Sequence, residues 1–349
     1  MNKTIFATQT KSNPVNLLFA SSILTGILIS LSAHSWFTIW IGLELNLFGF
    51  IPLIITSNKN QEKEAACKYF LAQAAPSAIF LLCLLLVADL HLSSLFLTIA
   101  LLIKMGIAPC HQWFPSVINS LPWIQAWILI TVQKIAPFFL LIQTINNSPI
   151  LTSIVAGLSS IVGGIGGINQ TLLRPLIAYS SIGHIGWILR AILVSNRSAT
   201  LYFISYLLIV STTIFRAILL NLNSIAVSTK IENNPILILF LILSFINIGG
   251  LPPFFGFFIK ATIINHLLRM NFFLLTLLLI LGSVINLFYY LKIVFINTLR
   301  APTQLILLYS SLSTTPKPIK FNTSYSLINP FLFILSTSAA TTTLLLFRT

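Results

Sequence analysis

The chain has 349 residues, of which 57% are hydrophobic and only 7% charged. A water-soluble domain carries about 25% charged residues, so this composition excludes a water-facing surface over the whole molecule and makes lipid the solvent. The formal charge of +14 reflects scarce acids, five against nineteen bases; the bases form no block, which argues against nucleic acid and for contact with anionic lipid headgroups.

The opening MNKTIFATQTKSNPVN lacks the apolar core of a signal peptide and the Arg-rich pattern of a transit peptide, so insertion at the site of synthesis is expected. Roughly 20 apolar residues cross a bilayer core, and such spans are expected at 14–33 and 35–56. The second contains WFTIWIGLELNLFGFIP, whose single charge is Glu44. Beyond SNKNQEKE at 57–64 comes a span at 65–88, then DLHLSS at 89–94 and a span at 93–110. That span runs into KMGIAPCHQWFP, where Gly106 and Pro109 mark a break and His111 sits at its mouth. Proline has no N–H, so Pro109 frees the carbonyl of Met105, next to Lys104. The span at 123–145 holds TVQKIAPFF, in which Pro137 frees the carbonyl of Gln133 beside Lys134.

In the span at 149–168, GGIGG reads as close helix packing; no strand precedes it, as a nucleotide loop would require. After NQTLLRP at 169–175, the span at 176–195 carries His184 and Arg190, and that at 199–222 carries Arg216. Beyond VSTKIENN at 227–234, the stretch 235–269 is too long for one crossing. It contains GGLPP, and Gly250, Pro252 and Pro253 mark a second broken helix shortly before Lys260. A span at 271–296, a polar connection at 297–327 and a last span at 328–347 complete the chain. Cys67, Cys83 and Cys110 lie in or beside apolar runs, at spacings that suit packing and neither a zinc nor an iron–sulfur site. Trp36, Trp40, Trp113, Trp123 and Trp127 read as interface anchors or packing.

The expected fold is an all-α polytopic membrane protein of about eleven transmembrane helices. GIAPCHQWFP at 106–115 parallels GLPPFFGFFI at 250–259. Two Gly/Pro-interrupted spans in corresponding positions point to inverted repeats. Five helices would fall in a first repeat, 14–145, and five in a second, 149–296, with one C-terminal helix over. Glu44, Lys104, Lys134 and Lys260 cannot easily reach a headgroup, and together cost on the order of 10 kcal/mol in a bilayer. They are therefore expected to face the bundle interior, to pair or to meet water. A lysine in water holds its proton too tightly to pass it on; desolvation loosens that hold and a nearby carboxylate restores it. Glu44 is the expected partner of Lys104, paired in one state and released in another, with His111 and His184 as candidate relays.

WIGLELN at 40–46, EAACKYFLAQA at 64–74, KMGIAPCHQWFP, QKIAPFFL at 133–140, GGINQTLLRPLIAYSSIGHIGW at 166–187 and GGLPPFFGFFIK at 249–260 occur in an order that resembles the antiporter-like subunit 2 family of mitochondrial NADH:ubiquinone oxidoreductase, respiratory complex I. The resemblance covers most of residues 14–295. It implies a proton-pumping subunit of the mitochondrial inner membrane, and lays the family's glutamate and three lysines on Glu44, Lys104, Lys134 and Lys260. It implies no redox centre here: NADH, FMN, Fe–S clusters and ubiquinone would be bound by other subunits, with subunits 4L and 4 as flanking partners and phospholipid such as cardiolipin bound. Arg190 and Arg216 depart from the family pattern; each could snorkel to a membrane surface, or Arg216 could point inward. A stand-alone cation/proton antiporter and a structural subunit that moves nothing are the competing readings.

Overall fold

The computed structural model describes residues 14–55, 59–85, 90–220, 222–224, 235–252 and 254–311. Among them the chain is helical, with an isolated antiparallel bridge between Leu172 and Ser224 and no strand. In lipid no water is at hand for backbone groups, so a spanning segment must satisfy them within itself, and a helix does so. Eight helical stretches of the described residues are long and apolar enough to cross a membrane, one of them, Trp123–Thr144, interrupted, and two shorter apolar helices accompany them. The span expected at 328–347 lies outside the described residues, as does Pro253.

Two compact units divide the chain: 1–106 with 110–148, and 107–109 with 149–349. The first contains α1 (Pro14–Ser32), α2 (Trp36–Ile54), α3 (Asn60–Leu85), α4 (Leu90–Met105), α5 (Trp113–Ser120), α6 (Trp123–Ile130) and α7 (Ile135–Thr144). Glycines set how closely α1 and α2 approach. A Cβ on Gly26 would lie 2.7 Å from the Asn46 nitrogen, and one on Gly42 2.7 Å from that of Ser30. Small residues let membrane helices meet backbone to backbone. The opposite face of α1 turns Leu17, Leu18, Leu24 and Leu28 outward, as lipid-facing side chains must. Helix α3 begins at Asn60, earlier than the span expected at 65. Its polar first turn is built on the Lys59 carbonyl, which accepts from the Glu62 and Lys63 amides, and Glu and Lys favour helix once outside the hydrocarbon.

The second unit contains α8 (Pro149–Ile168), α9 (Leu173–Val194), α10 (Asn196–Leu219), α11 (Pro235–Gly249), α12 (Phe255–Arg269) and α13 (Phe273–Ser311). Helix α9 is its axis, buried along most of its length. The GGIGG motif packs as its composition suggests: a Cβ on Gly163 would sit 2.5 Å from the Gly183 nitrogen on α9. Gly186 lies against the Ala156 carbonyl, and Gly282 against that of Ser160. Helix α13 continues to Ser311, beyond the expected boundary at 296.

Candidate functional site

Both broken helices are present, and a third interruption accompanies them. Helix α4 ends at Met105, where Gly106 takes φ 72°, and α5 begins at Trp113. The span 123–145 is divided into α6 and α7 by a 3-10 turn, Val132–Lys134, just upstream of Pro137. Thr131 begins that turn, with its amide and hydroxyl both donating to the Trp127 carbonyl, at 3.0 and 2.6 Å. In the second unit α11 ends at Gly249, Gly250 takes φ 78° and α12 begins at Phe255. Positive φ is costly for any residue with a Cβ, so both chain reversals depend on glycine. Pro252 lies exposed within this link.

The lysines sit at these interruptions. Lys104 closes the last turn of α4, Lys134 closes the 3-10 turn, and Lys260 lies in α12 after the second break; none is more than 7% exposed. Helix ends leave carbonyls without intrahelical partners, and the polar groups around the lysines meet that demand. The Gln73 amide donates to the Lys104 carbonyl at 3.2 Å. The Lys260 ammonium reaches back to the Gly249 carbonyl at 3.1 Å, at the negative end of α11. The Asn247 side chain accepts from the Gly256 amide at 3.1 Å and so holds the start of α12.

Within the first unit, Asn46, Tyr69, Gln73, Lys104, Gln133 and Lys134 line a common cavity of about 20 Å³, room for a water-sized molecule. Tyr69 donates to Gln133 Oε1 at 3.4 Å, and its ring is braced by Phe50 and Trp113, with centroids 5.1 and 6.0 Å away. Lys134 Nζ lies 4.3 Å from the ring centroid of Phe114, a cation–π contact that helps hold a desolvated ammonium. Glu44 is half-buried on α2, with Oε1 buried and without a hydrogen-bond partner. It is near enough to act electrostatically on Lys104 and Tyr69. It forms no direct ion pair with Lys104; an ion pair does form between Lys68 and Glu64, toward the exposed start of α3. His111 is half-buried in the link between α4 and α5, where its carbonyl accepts from the Phe114 amide.

Within the second unit, His184 is buried on α9 and its Nδ1 lies 3.0 Å from the Tyr202 hydroxyl. The Tyr206 ring stands 5.2 Å from the imidazole. These three and Asn247 line a second cavity of about 20 Å³. Lys260 does not line it, although its neighbours Gly256 and Ile259 do. Arg216, 1% exposed, turns inward: Nη1 donates to the Phe240 carbonyl at 2.6 Å. Arg190 is likewise buried, under the Phe272 ring.

The structure thus brings Lys104 and Lys134 to one cavity, with Glu44 close by, and sets Lys260 and His184 within the second unit. Tyr69, Gln73, Gln133, Tyr202, Tyr206 and Asn247 were not singled out from the sequence. Tyr69/Gln73 and Tyr202/Tyr206 each recur at i, i+4 on one helical face, the signal that could have found them. No group of metal-ligating side chains occurs among the described residues.

Residues 33–91 and 86–286 match the family model described as NADH:quinone oxidoreductase/Mrp antiporter, TM. NADH-ubiquinone oxidoreductase chain 2 of Patiria pectinifera is 37% identical over 296 residues, covering 81% of this chain and 84% of the relative. Its counterpart in Varanus baritji is 35% identical over 332 residues, covering 91% and 96%. A chain of the respiratory complex I from Thermus thermophilus, solved with bound aureothin, superposes with a TM-score of 0.74 at 22% identity, covering 94% of this chain and 76% of its own.

Proposed function

The chain belongs to the NADH-ubiquinone oxidoreductase chain 2 family, within the wider NADH:quinone oxidoreductase/Mrp antiporter family, and from that membership we propose how it works as a membrane subunit of proton-pumping complex I. Its place is the mitochondrial inner membrane, beside other membrane subunits of the complex, with subunits 4L and 4 on its flanks and cardiolipin among its lipids. NADH, FMN, Fe–S clusters and ubiquinone bind elsewhere in the complex, and this chain is driven by their chemistry. Residues 14–145 and 149–296 act as two inverted repeats.

Proton movement runs through Glu44, Lys104, Lys134 and Lys260. When Glu44 pairs with Lys104 the ammonium holds its proton; when they separate, the desolvated amine gives it up. Gln133 and Tyr69, with water in the shared cavity, offer the route from Lys104 to Lys134. Lys260 serves the second repeat, with His184 and Tyr202 as relay and His111 at the mouth of the first break.

The observation that carries this reading is the seat of the lysines. Each is buried, and each stands where a helix is interrupted, beside backbone that a continuous helix would have closed. A structural scaffold has no use for desolvated ammonium groups at its breaks, each of which costs free energy. Lys134→Met tests it. In the assembled complex, the substitution should lower the protons pumped per NADH oxidised while the subunit stays in place. Unchanged stoichiometry with intact assembly would leave the scaffold reading standing.

A further inference from the structure

Arg190 takes no part in the site above, and its surroundings are unusual for a buried cation. It lies four residues before the end of α9, ~6 Å along the axis at 1.5 Å per residue, and is 4% exposed. A guanidinium carries five N–H donors. Its one hydrogen bond among the described residues is from Nη1 to Ser153 Oγ at 3.4 Å, while Nε is buried without a partner. The Ser153 hydroxyl proton is directed to the Pro149 carbonyl, which leaves its oxygen free to accept from Arg190.

Among the described residues of the second unit no carboxylate balances this charge. The acids of the chain are Glu44, Glu62, Glu64, Asp89 and Glu232, and none belongs to the described part of the second unit. The surroundings add positive character instead. Ser153 follows directly on the first turn of α8, whose unpaired amides carry partial positive charge. Arg197 in the first turn of α10 and Arg269 at the end of α12 are exposed at the same end of the unit. What covers Arg190 is the Phe272 ring, 4.3 Å from the guanidinium carbon. That ring is 47% exposed, on the short turn between α12 and α13 where Asn271 takes φ 60°.

One turn inside the end of a membrane span is the depth at which a long cationic side chain meets lipid phosphate. A guanidinium fork matches two phosphate oxygens and tolerates desolvation better than an ammonium does. We propose that Arg190 is the buried anchor of a binding site for the phosphate of an anionic phospholipid, with Phe272 as its movable cover and Arg197 and Arg269 drawing the headgroup in. Ser153 positions the guanidinium. The phosphate takes the unpartnered Nε, and the Phe272 ring swings out to lie among the acyl chains. The inference requires only that the second unit spans a membrane; it is independent of proton transfer.

The test uses the intact complex in phosphatidylcholine vesicles with and without phosphatidylglycerol, reading hydrogen exchange across residues 269–273. Phosphatidylglycerol should slow exchange there by about tenfold, the equivalent of one charge-assisted contact. Arg190→Gln should abolish the difference, and Phe272→Ala should keep it at lower lipid content. No slowing in the unsubstituted complex would overturn the proposal, as would slowing that survives Arg190→Gln. Equal slowing by inorganic phosphate in phosphatidylcholine alone would show a free-anion site and overturn the lipid assignment. Should Arg190→Gln fail to assemble, the unsubstituted and Phe272→Ala complexes decide the matter.

Discussion

Gly249 and Gly250 are neighbours in sequence, yet the structure predicts opposite outcomes for an alanine at each. Gly249 is the last residue of α11, and a Cβ there would meet the Tyr290 ring at 3.4 Å, an ordinary contact. Alanine at this helical position is neutral or stabilising by about 0.5–1 kcal/mol. Gly250 has φ 78°, and a Cβ there would lie 3.1 Å from Lys260 Nζ and 3.3 Å from the Gly256 carbonyl. The left-handed conformation alone costs about 1–2 kcal/mol with a Cβ present. The Cβ also presses on the amine that donates to the Gly249 carbonyl; losing a hydrogen bond of that charged kind costs about 1.5–3 kcal/mol. Gly250→Ala should therefore destabilise the second break by about 2.5–5 kcal/mol and displace Lys260, while Gly249→Ala does neither. The assay is proton pumping per NADH oxidised in proteoliposomes, with hydrogen exchange across 247–260 read on the same samples. Gly250→Ala should lose pumping and exchange faster at the break; Gly249→Ala should match the unsubstituted complex. If the two variants behave alike, the coupling of glycine conformation to lysine position is refuted.

Other substitutions probe separate contacts. Gln73→Leu leaves the Lys104 carbonyl without its donor; a buried unsatisfied group costs about 1–3 kcal/mol, so thermal melting of the complex should shift down, and an unchanged melt would show that water replaces the amide. Gly42→Ala places a methyl 2.7 Å from the Ser30 nitrogen; α1 and α2 must separate, at about 1–3 kcal/mol for an overpacked contact, and a cysteine pair engineered across them should cross-link more slowly. Glu44→Gln keeps the shape of the side chain and removes its charge, so pumping should fall with the subunit retained; full pumping at normal turnover would remove Glu44 from the route.

What was legible in the sequence follows from cost. An ionisable side chain in a lipid-dissolved chain is expensive, so Glu44, Lys104, Lys134 and Lys260 stood out against apolar surroundings. Proline advertises its missing donor, so the breaks near Pro109 and Pro252 and the interruption before Pro137 were readable too. Neutral polar residues advertise little. Tyr69, Gln73 and Asn247 cost modestly in a helix that packs against others, and their roles depend on contacts such as Gln73 to Lys104, 31 positions away. Arg190 and Arg216 were visible as charges, but not their direction: nothing local tells that Arg216 finds the Phe240 carbonyl instead of a membrane surface. The start of α3 was misplaced because a helix does not stop where hydropathy does; polar helix formers such as Glu62 and Lys63 extend it beyond the bilayer core, whereas α13 runs on through Asn297, Thr298 and Pro302, which local propensity would have ended.

The central claim is that buried lysines at helix interruptions are joined by water to form a proton route. A density map of the assembled complex fine enough to show individual waters tests it most directly, at the cavity shared by Lys104 and Lys134. The account predicts ordered water there, hydrogen-bonded to the Lys104 or Lys134 ammonium and to Tyr69, Gln73 or Gln133. A cavity closed in the complex by apolar side chains, with both amines sealed from water and from each other, would contradict it.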